Sequence, residues 1–286
     1  MSDQNNSVFE QRVASLRELL DQNDLDALIV SHDDEYLSYE LNADEERLKY
    51  ITGFSGSAGY AVITRDGLKV NTDSIEFNDD NSENGITVER DCAVFVDGRY
   101  VVQVKEQIDN DIFQDFDLAK VKPAKWITSV MPKNSTVGID INCVSYKEYL
   151  AIKNELSINN INLVATESNL VDKIWTDKPE PVVSEIAIFP DEYNGCPSPQ
   201  KRQLIAQTLR EKDLDATVIC DPESICWLLN IRGRDRAYLP VINCKMVAYS
   251  NEALEWYINP NHFKDENLQD QLQEHISSLK THLMMY

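Results

Sequence analysis

Leu16-Arg17-Glu18-Leu19-Leu20-Asp21-Gln22-Asn23-Asp24-Leu25-Asp26-Ala27-Leu28-Ile29-Val30 holds, in fifteen residues, the pattern that decides the fold. Upstream, Phe9, Val13, Leu16 and Leu20 recur at steps of three and four, the period of one helical face. Ser7 stands three residues before Glu10, the spacing of a capping box. A polar turn, Asp21 to Asp24, then leads into an apolar run ending at Val30 that reads as a buried strand. Helix, short turn and apolar strand predict an α/β layered domain. The same unit returns later in the chain. Ser198-Pro199 reads as a helix start, with Ser198 as cap and Pro199 in the first helical position. Leu204, Ile205 and Leu209 continue its apolar face, and Asp213-Leu214-Asp215-Ala216-Thr217-Val218-Ile219-Cys220 repeats turn and strand. Helix, turn and strand keep one offset of 189 residues, and Asp24–Ala27 is identical to Asp213–Ala216. Two related domains are the expectation.

Within the first half, Gly59–Thr64, Ala93–Val96 and Thr136–Asp140 read as further strands, Val101–Ile108 as a helix, and the stretch with Tyr146, Tyr149, Leu150 and Ile152 as another. Residues 78–85 are polar and turn-rich, an exposed loop. Lys178-Pro179-Glu180-Pro181 reads as a stiff linker, which sets the domains at 1–176 and 182–286 with 177–181 between them. At the end, Leu268, Leu272, Ile276, Leu279 and Leu283 are expected on one helix face. The apolar close, Leu283 to Tyr286, suggests that further protein follows.

Acidic residues number 49 against 27 basic, a net charge of −22 over 286 residues. Phosphate contacts need clustered basic surface, so nucleic acid and anionic membrane are excluded as partners. The start lacks a basic region followed by an apolar core, and no apolar run nears the roughly 20 residues of a membrane helix. The expected location is the cytoplasm. Six cysteines, Cys92, Cys143, Cys196, Cys220, Cys226 and Cys244, form no C-x-x-C pair and read as buried free thiols.

A hydrolase needs a nucleophile or a metal. His32, His262, His275 and His282 form no ligand motif, and His275 and His282, seven apart on the expected last helix, read as solvated. Gly53-Phe54-Ser55-Gly56-Ser57-Ala58-Gly59 is neither a nucleophile elbow nor a phosphate cradle, because it leads into a strand. It reads as a tight turn. Asp33-Asp34-Glu35 and Asp44-Glu45-Glu46 read as solvated faces. The basic cluster Arg232-Gly233-Arg234-Asp235-Arg236 has two readings of equal weight: contact with an anionic partner, or local pairing through Asp235. Trp227, Leu228 and Leu229 are assigned to the core.

Four motifs in order resemble the Xaa-Pro aminopeptidases, relatives of creatinase. Arg47-Leu48-Lys49-Tyr50-Ile51-Thr52-Gly53-Phe54-Ser55-Gly56-Ser57-Ala58-Gly59 is similar to R-x-x-x-x-TGF-x-GSAG. Asp97-Gly98-Arg99-Tyr100 with Gln103 resembles DGRY-x-x-Q, and Asn169 to Trp175 resembles NLVD-x-x-W. Trp227-Leu228-Leu229-Asn230-Ile231-Arg232-Gly233 with Asp235 is similar to WLLN-x-RG-x-D. The resemblance implies two creatinase-N-terminal-like α/β domains, each a mixed sheet flanked by helices, without the pita-bread domain. In that family the missing domain binds two divalent metals, commonly manganese, and removes an N-terminal residue that precedes proline. No catalytic residue and no metal ligand carries over to this chain, which is expected to be inactive alone. Gly53, Phe54, Gly56, Gly59, Asp97, Arg99, Tyr100, Asn230, Arg232, Gly233 and Asp235 carry over as structural motif residues. Arg47 carries over as a candidate substrate contact, since a guanidinium offers a planar fork of donors; pairing with Asp44, Glu45 or Glu46 is the competing role. The implied partners are the catalytic domain, a second subunit and proline-containing peptides. A longer acidic insertion over 70–91 departs from the family pattern. Two alternatives are a stand-alone dimerisation or binding module and, more weakly, a nucleotide- or flavin-binding α/β protein.

Overall fold

A computed structural model describes residues 7–71, 87–263, 266–276 and 279–283. Most of the acidic insertion, and the last three residues, lie outside them. The chain divides into two compact units. Unit 1 holds residues 1–35 and 43–179. Unit 2 holds 180–286 together with a short excursion, Tyr36–Asn42, that nothing in the sequence pattern announces.

Unit 1 begins with α1 (Val8–Gln22), β1 (Ala27–Ser31), α2 (Arg47–Thr52), β2 (Gly59–Thr64) and β3 (Cys92–Val96). It continues with α3 (Gln103–Gln107), β4 (Phe113–Asp117), α4 (Pro123–Val130), β5 (Thr136–Ile139), α5 (Tyr146–Ser157), β6 (Asn162–Ala165) and α6 (Leu170–Ile174). Ser7 caps α1 as its spacing implied, its hydroxyl accepting from the Glu10 amide at 3.1 Å. The sheet order is β4-β3-β2-β1-β5-β6. Only β2 runs against its neighbours. Both faces are covered, which is why the inner strands β1 and β3 read as apolar runs. Ala27, Ile29, Val62 and Phe95 pack with α4 and α5 on one face. Leu28, Val30, Ala61 and Val94 pack with α1 and α2 on the other.

Unit 2 contains β7 (Ala187–Ile188), α7 (Asp191–Asn194), α8 (Ser198–Glu211), β8 (Ala216–Ile219), α9 (Pro222–Leu229) and β9 (Ile231–Arg232). Then come β10 (Cys244–Tyr249), β11 (Leu254–Ile258), α10 (Glu266–His275) and β12 (Leu279–Leu283). Its main sheet has the order β12-β11-β10-β8, and β7 pairs with β9 apart from it. The internal repeat holds at the level of single atoms. Asp24 and Asp213 both take the left-handed conformation, φ 54° and 53°. The Leu25 and Leu214 amides each donate at 2.9 Å to the carbonyl five residues back.

Four expectations need correction. α10 stops at His275, and Leu279 to Leu283 form a strand parallel to β11. The apolar spacing at 276, 279 and 283 therefore spans a helix and a strand, and His275 and His282 share no helix face. Ser198 is not a cap but the first helical residue, with Pro197 extended before it. Trp227 is 54% exposed while Leu228 and Leu229 are core, because α9 turns only one face to the sheet. Cys220 is exposed and Cys196 half-buried; the remaining four cysteines are buried, and all six are free. Burial pushes the thiols of Cys92 and Cys226 up to about 11, which keeps them protonated and unreactive. Among the described residues no helix is long and apolar enough to cross a membrane.

Candidate functional site

A narrow crevice opens in unit 1 where β1, β5 and β6 end, lined by Ser31, Asp33, Arg47, Asp140, Cys143 and Asn169 among others. Carboxyl ends of parallel strands are where α/β sheets place their sites. Arg47 enters it from the first turn of α2. Its guanidinium donates from Nε and Nη2 to the two oxygens of Asp172, each at 2.8 Å. The Asp172 carboxylate also accepts from Lys178 Nζ at 2.9 Å. The carboxylate that Arg47 engages thus lies 125 residues on, in the NLVD stretch, not in the neighbouring acidic run. Burial alone would lower the pKa of Arg47, but Asp172 outweighs it and holds the group above its ordinary value. Burial likewise raises Asp172, and the bonds from Arg47 and Lys178 overcome that and hold it below the usual carboxylate range.

The same two motifs meet a second time. Tyr50 stacks on Trp175 with ring centroids 4.6 Å apart, and its hydroxyl donates to the Ile174 carbonyl at 2.9 Å. Arg12 lies over Tyr50 itself, 3.8 Å from its ring centroid. The glycines between serve shape. Gly53 ends α2 at φ 86°, where a side chain would be strained. A Cβ on Gly56 would fall 2.3 Å from the Phe54 ring. Tyr100 meets Phe54 edge-on at 5.6 Å and bonds Ser57 Oγ at 2.7 Å. Asp97 caps the turn carrying Arg99 and pairs with its Nε at 2.8 Å.

The acidic runs are not solvated faces. Asp34 is 1% exposed, and Asp44 and Glu45 are each 8% exposed. Asp33 is pushed up to about 6, first by burial and then by the nearby charges of Glu148 and Asp34; Glu148 itself accepts from the Tyr60 hydroxyl. The folded state holds this proton to higher pH than an unfolded aspartate, whose pKa is about 3.9. Unit 1 therefore loses stability as pH rises from about 4 to about 6 and levels off above that. Asp33→Asn is expected to stabilise unit 1 at pH 8 by about 1–2 kcal/mol and to change little at pH 4. Urea titrations at the two pH values check this; an equal effect at both would contradict it.

In unit 2 the arginine-rich stretch is pinned from within. Asp235, 1% exposed, accepts from the Ser184 amide at 2.9 Å, the Ser184 hydroxyl at 2.7 Å and the Asn243 amide at 2.7 Å. His262 Nε2 lies 3.4 Å from the oxygen that accepts from Asn243. Asp235 is thus held by Ser184 and Asn243, and His262 is a buried histidine, 1% exposed. Arg232 stacks over Phe189 at 4.5 Å and donates to the Ile231 carbonyl at 2.7 Å. Arg236 donates to the Glu40 carbonyl at 2.9 Å and Asn42 to the Asp235 carbonyl at 2.8 Å, which fastens residues 36–42. A Cβ on Gly233 would overlap Ile242 at 1.9 Å. Asn230 closes α9 in the left-handed conformation and donates to Asp191 and the Cys196 carbonyl. It accepts from Lys201 Nζ at 2.5 Å. Lys201 is 2% exposed, also donates to the Trp227 carbonyl at 2.6 Å, and has its pKa lowered by burial. A cavity of about 380 Å³ lies beside this loop, lined by Tyr36, Tyr39, Asp221, Glu223 and Leu239 among others.

Sequence reasoning did not single out Asp172, Lys178, Lys201, Ser184 or His262. Asp172 stood in a quoted motif; the others carry no local signal, since their partners lie 6 to 78 residues away. Among the described residues no group of three or more His, Cys, Asp or Glu could hold a metal ion. The Asp235–His262 pair has both carboxylate oxygens occupied by donors.

Comparison with known proteins agrees with this geometry. The family model described as the creatinase/prolidase N-terminal domain matches residues 12–84 and 81–174, and a second model of the same description matches 177–285. The Xaa-Pro aminopeptidase ApepP of Drosophila melanogaster is 30% identical over 253 residues, 85% of this chain and 37% of that protein. A probable Xaa-Pro aminopeptidase P of Talaromyces marneffei is 30% identical over 94% of this chain and 37% of its own length. The solved X-prolyl aminopeptidase of Caenorhabditis elegans, described as a cytosolic enzyme with a di-nuclear active site, superposes with TM-score 0.81 at 22% identity. That match covers 97% of this chain and 43% of the other. The chain thus spans less than half the length of these relatives. With family-model matches running from residue 12 to 285, the chain belongs to the creatinase/prolidase N-terminal-domain family.

Proposed function

We propose that this chain acts as the non-catalytic N-terminal part of a Xaa-Pro aminopeptidase, supporting subunit assembly and the approach of substrate. The active site would lie in a separate domain with two divalent metals, manganese in the family pattern. The observation that carries this reading is where the motif residues go. Arg47, Asn230, Arg232 and Asp235 all turn inward onto Asp172, Lys201, Phe189 and Ser184. Side chains so engaged hold a scaffold and leave bond cleavage to other residues. Arg47 enters this reading as a residue that positions the crevice wall; any contact with a peptide would use the guanidinium edge not committed to Asp172. A homodimer in the cytoplasm, acting on proline-containing peptides, belongs to the same proposal.

The purified chain, supplied with manganese, is expected to release no N-terminal residue from Xaa-Pro peptides. Metal-dependent turnover at rates typical of peptidases, about 1 s⁻¹ or more, would refute the assignment.

A further inference from the structure

Two cavities adjoin on unit 2, and every residue that lines them belongs to that unit. The larger, about 380 Å³, is lined by Tyr36 and Tyr39 together with Asp221 and Glu223. The smaller, about 180 Å³, is walled by Cys226, Trp227 and Pro240. Glu223, Leu239 and Val241 line both, so the two form one trough. Glu223, Cys226 and Trp227 stand at helical steps of three and four, which puts them on one face of α9. Much of the apolar wall meets solvent: Tyr39 is 79% exposed, Trp227 54% and Leu37 49%. The larger cavity alone falls within the roughly 300–1,000 Å³ usual for ligand pockets.

The trough is lined by two carboxylates, Asp221 and Glu223, and two guanidiniums, Arg232 and Arg236. The cations are already engaged. Arg236, 3% exposed, donates to the Glu40 carbonyl at 2.9 Å and to Asn243 at 3.1 Å. Arg232, half-buried, donates to the Ile231 carbonyl and lies over the Phe189 ring. Asp221 caps α9 but keeps its negative charge. Glu223 is exposed, and among the described residues its carboxylate accepts from no donor. The polar group left for a guest is therefore acidic, on a chain whose net charge of −22 draws cations. Aromatic rings around the trough already carry the protein's own cations: Lys201 Nζ lies 4.3 Å from the Trp227 centroid and Lys245 Nζ 5.3 Å from that of Tyr36. A carboxylate beside open ring faces suits a guanidinium, which can stack and fork at once.

We propose that this trough binds an extended, basic peptide segment of a partner protein. An arginine side chain enters the larger cavity between Tyr39 and Glu223, and an apolar side chain of leucine size enters the smaller one against Trp227 and Leu239. Alternate side chains of an extended segment point the same way, so the two anchors stand two positions apart, as Arg-x-Leu or its reverse. The site needs no metal and no catalytic domain, and it stands apart from the aminopeptidase reading above.

The test titrates the 286-residue chain calorimetrically with the capped peptide Ac-Ala-Arg-Ala-Leu-Ala-Arg-Ala-amide, which presents the motif in both directions. The expected Kd is below about 1 mM, and binding is expected to be about 10-fold weaker or worse when both arginines are replaced by glutamate. Glu223→Lys and Tyr39→Ala, both at exposed positions, are each expected to weaken binding about 10-fold, with hydrogen exchange of β10 and β11 unchanged. Absence of binding at about 1 mM peptide overturns the site. So does equal affinity for the glutamate peptide, or full affinity in Glu223→Lys. Concentration-dependent self-association of the chain that protects 36–39 from exchange also overturns it, by putting a second copy in the trough.

Discussion

Asn230→Ala is expected to destabilise unit 2 by about 3–5 kcal/mol, the range for stranding a buried charged group and its acceptors. Three bonds disappear together: the acceptor for Lys201 Nζ at 2.5 Å, and the donors to Asp191 at 3.0 Å and the Cys196 carbonyl at 3.1 Å. Lys201 keeps the Trp227 carbonyl and the face of the Trp227 ring, 4.3 Å away, but loses the amide oxygen that Asn230 supplies. Alanine must also hold φ 54°, a left-handed conformation that costs about 1–2 kcal/mol. Asn230→Gly separates the two effects. Glycine tolerates the backbone but makes no bonds, so it is expected to be milder than alanine by about 1 kcal/mol. Hydrogen exchange of the β10 and β11 amides measures both variants. Equal stability of Asn230→Ala and wild type would show that Lys201 finds another partner.

Arg47→Ala is expected to cost unit 1 about 3 kcal/mol, because it leaves the Asp172 carboxylate with Lys178 alone in a partly buried place. The side chains of Arg47 and Asp172 are 15% and 27% exposed, so the loss exceeds that of a surface pair, about 0–1 kcal/mol. Arg47→Lys should recover less than half, since an ammonium cannot reproduce two parallel bonds to one carboxylate. The pair also predicts a pH dependence. The folded-state pKa of Asp172 is depressed, so its stabilisation is complete above the unfolded value of about 3.9 and is lost as pH falls through the depressed folded value. Arg47→Ala should therefore flatten acid unfolding of unit 1. Urea midpoints followed from pH 7 to pH 2.5 test this. An unchanged midpoint at pH 7 would free Arg47 from its structural duty and return it to the crevice as a substrate contact.

The repeat of helix, turn and strand at offset 189 was legible because local signals carry it. Asp24 and Asp213 tolerate a left-handed turn, and apolar runs follow at once. The buried strands β1, β2 and β3 were equally plain as apolar runs, whereas β4 and β6, with polar residues among them, were not read. Errors gathered where a local pattern admits two periods. Ile276, Leu279 and Leu283 fit a helix face, yet pairing with β11 made the last segment a strand. The acidic runs failed for a different reason: composition reports charge but not which carboxylates the chain folds inward.

Residue order alone determined the two-domain α/β plan and the family motifs, since each of these is written in neighbours a few positions apart. Tertiary structure decided that Arg47 closes on Asp172, that Asn230 cradles Lys201 and that His262 is interior. Those facts depend on side chains brought together from 29 to 125 positions away. Hydrogen bonding and burial at such range act only once the sheets have formed.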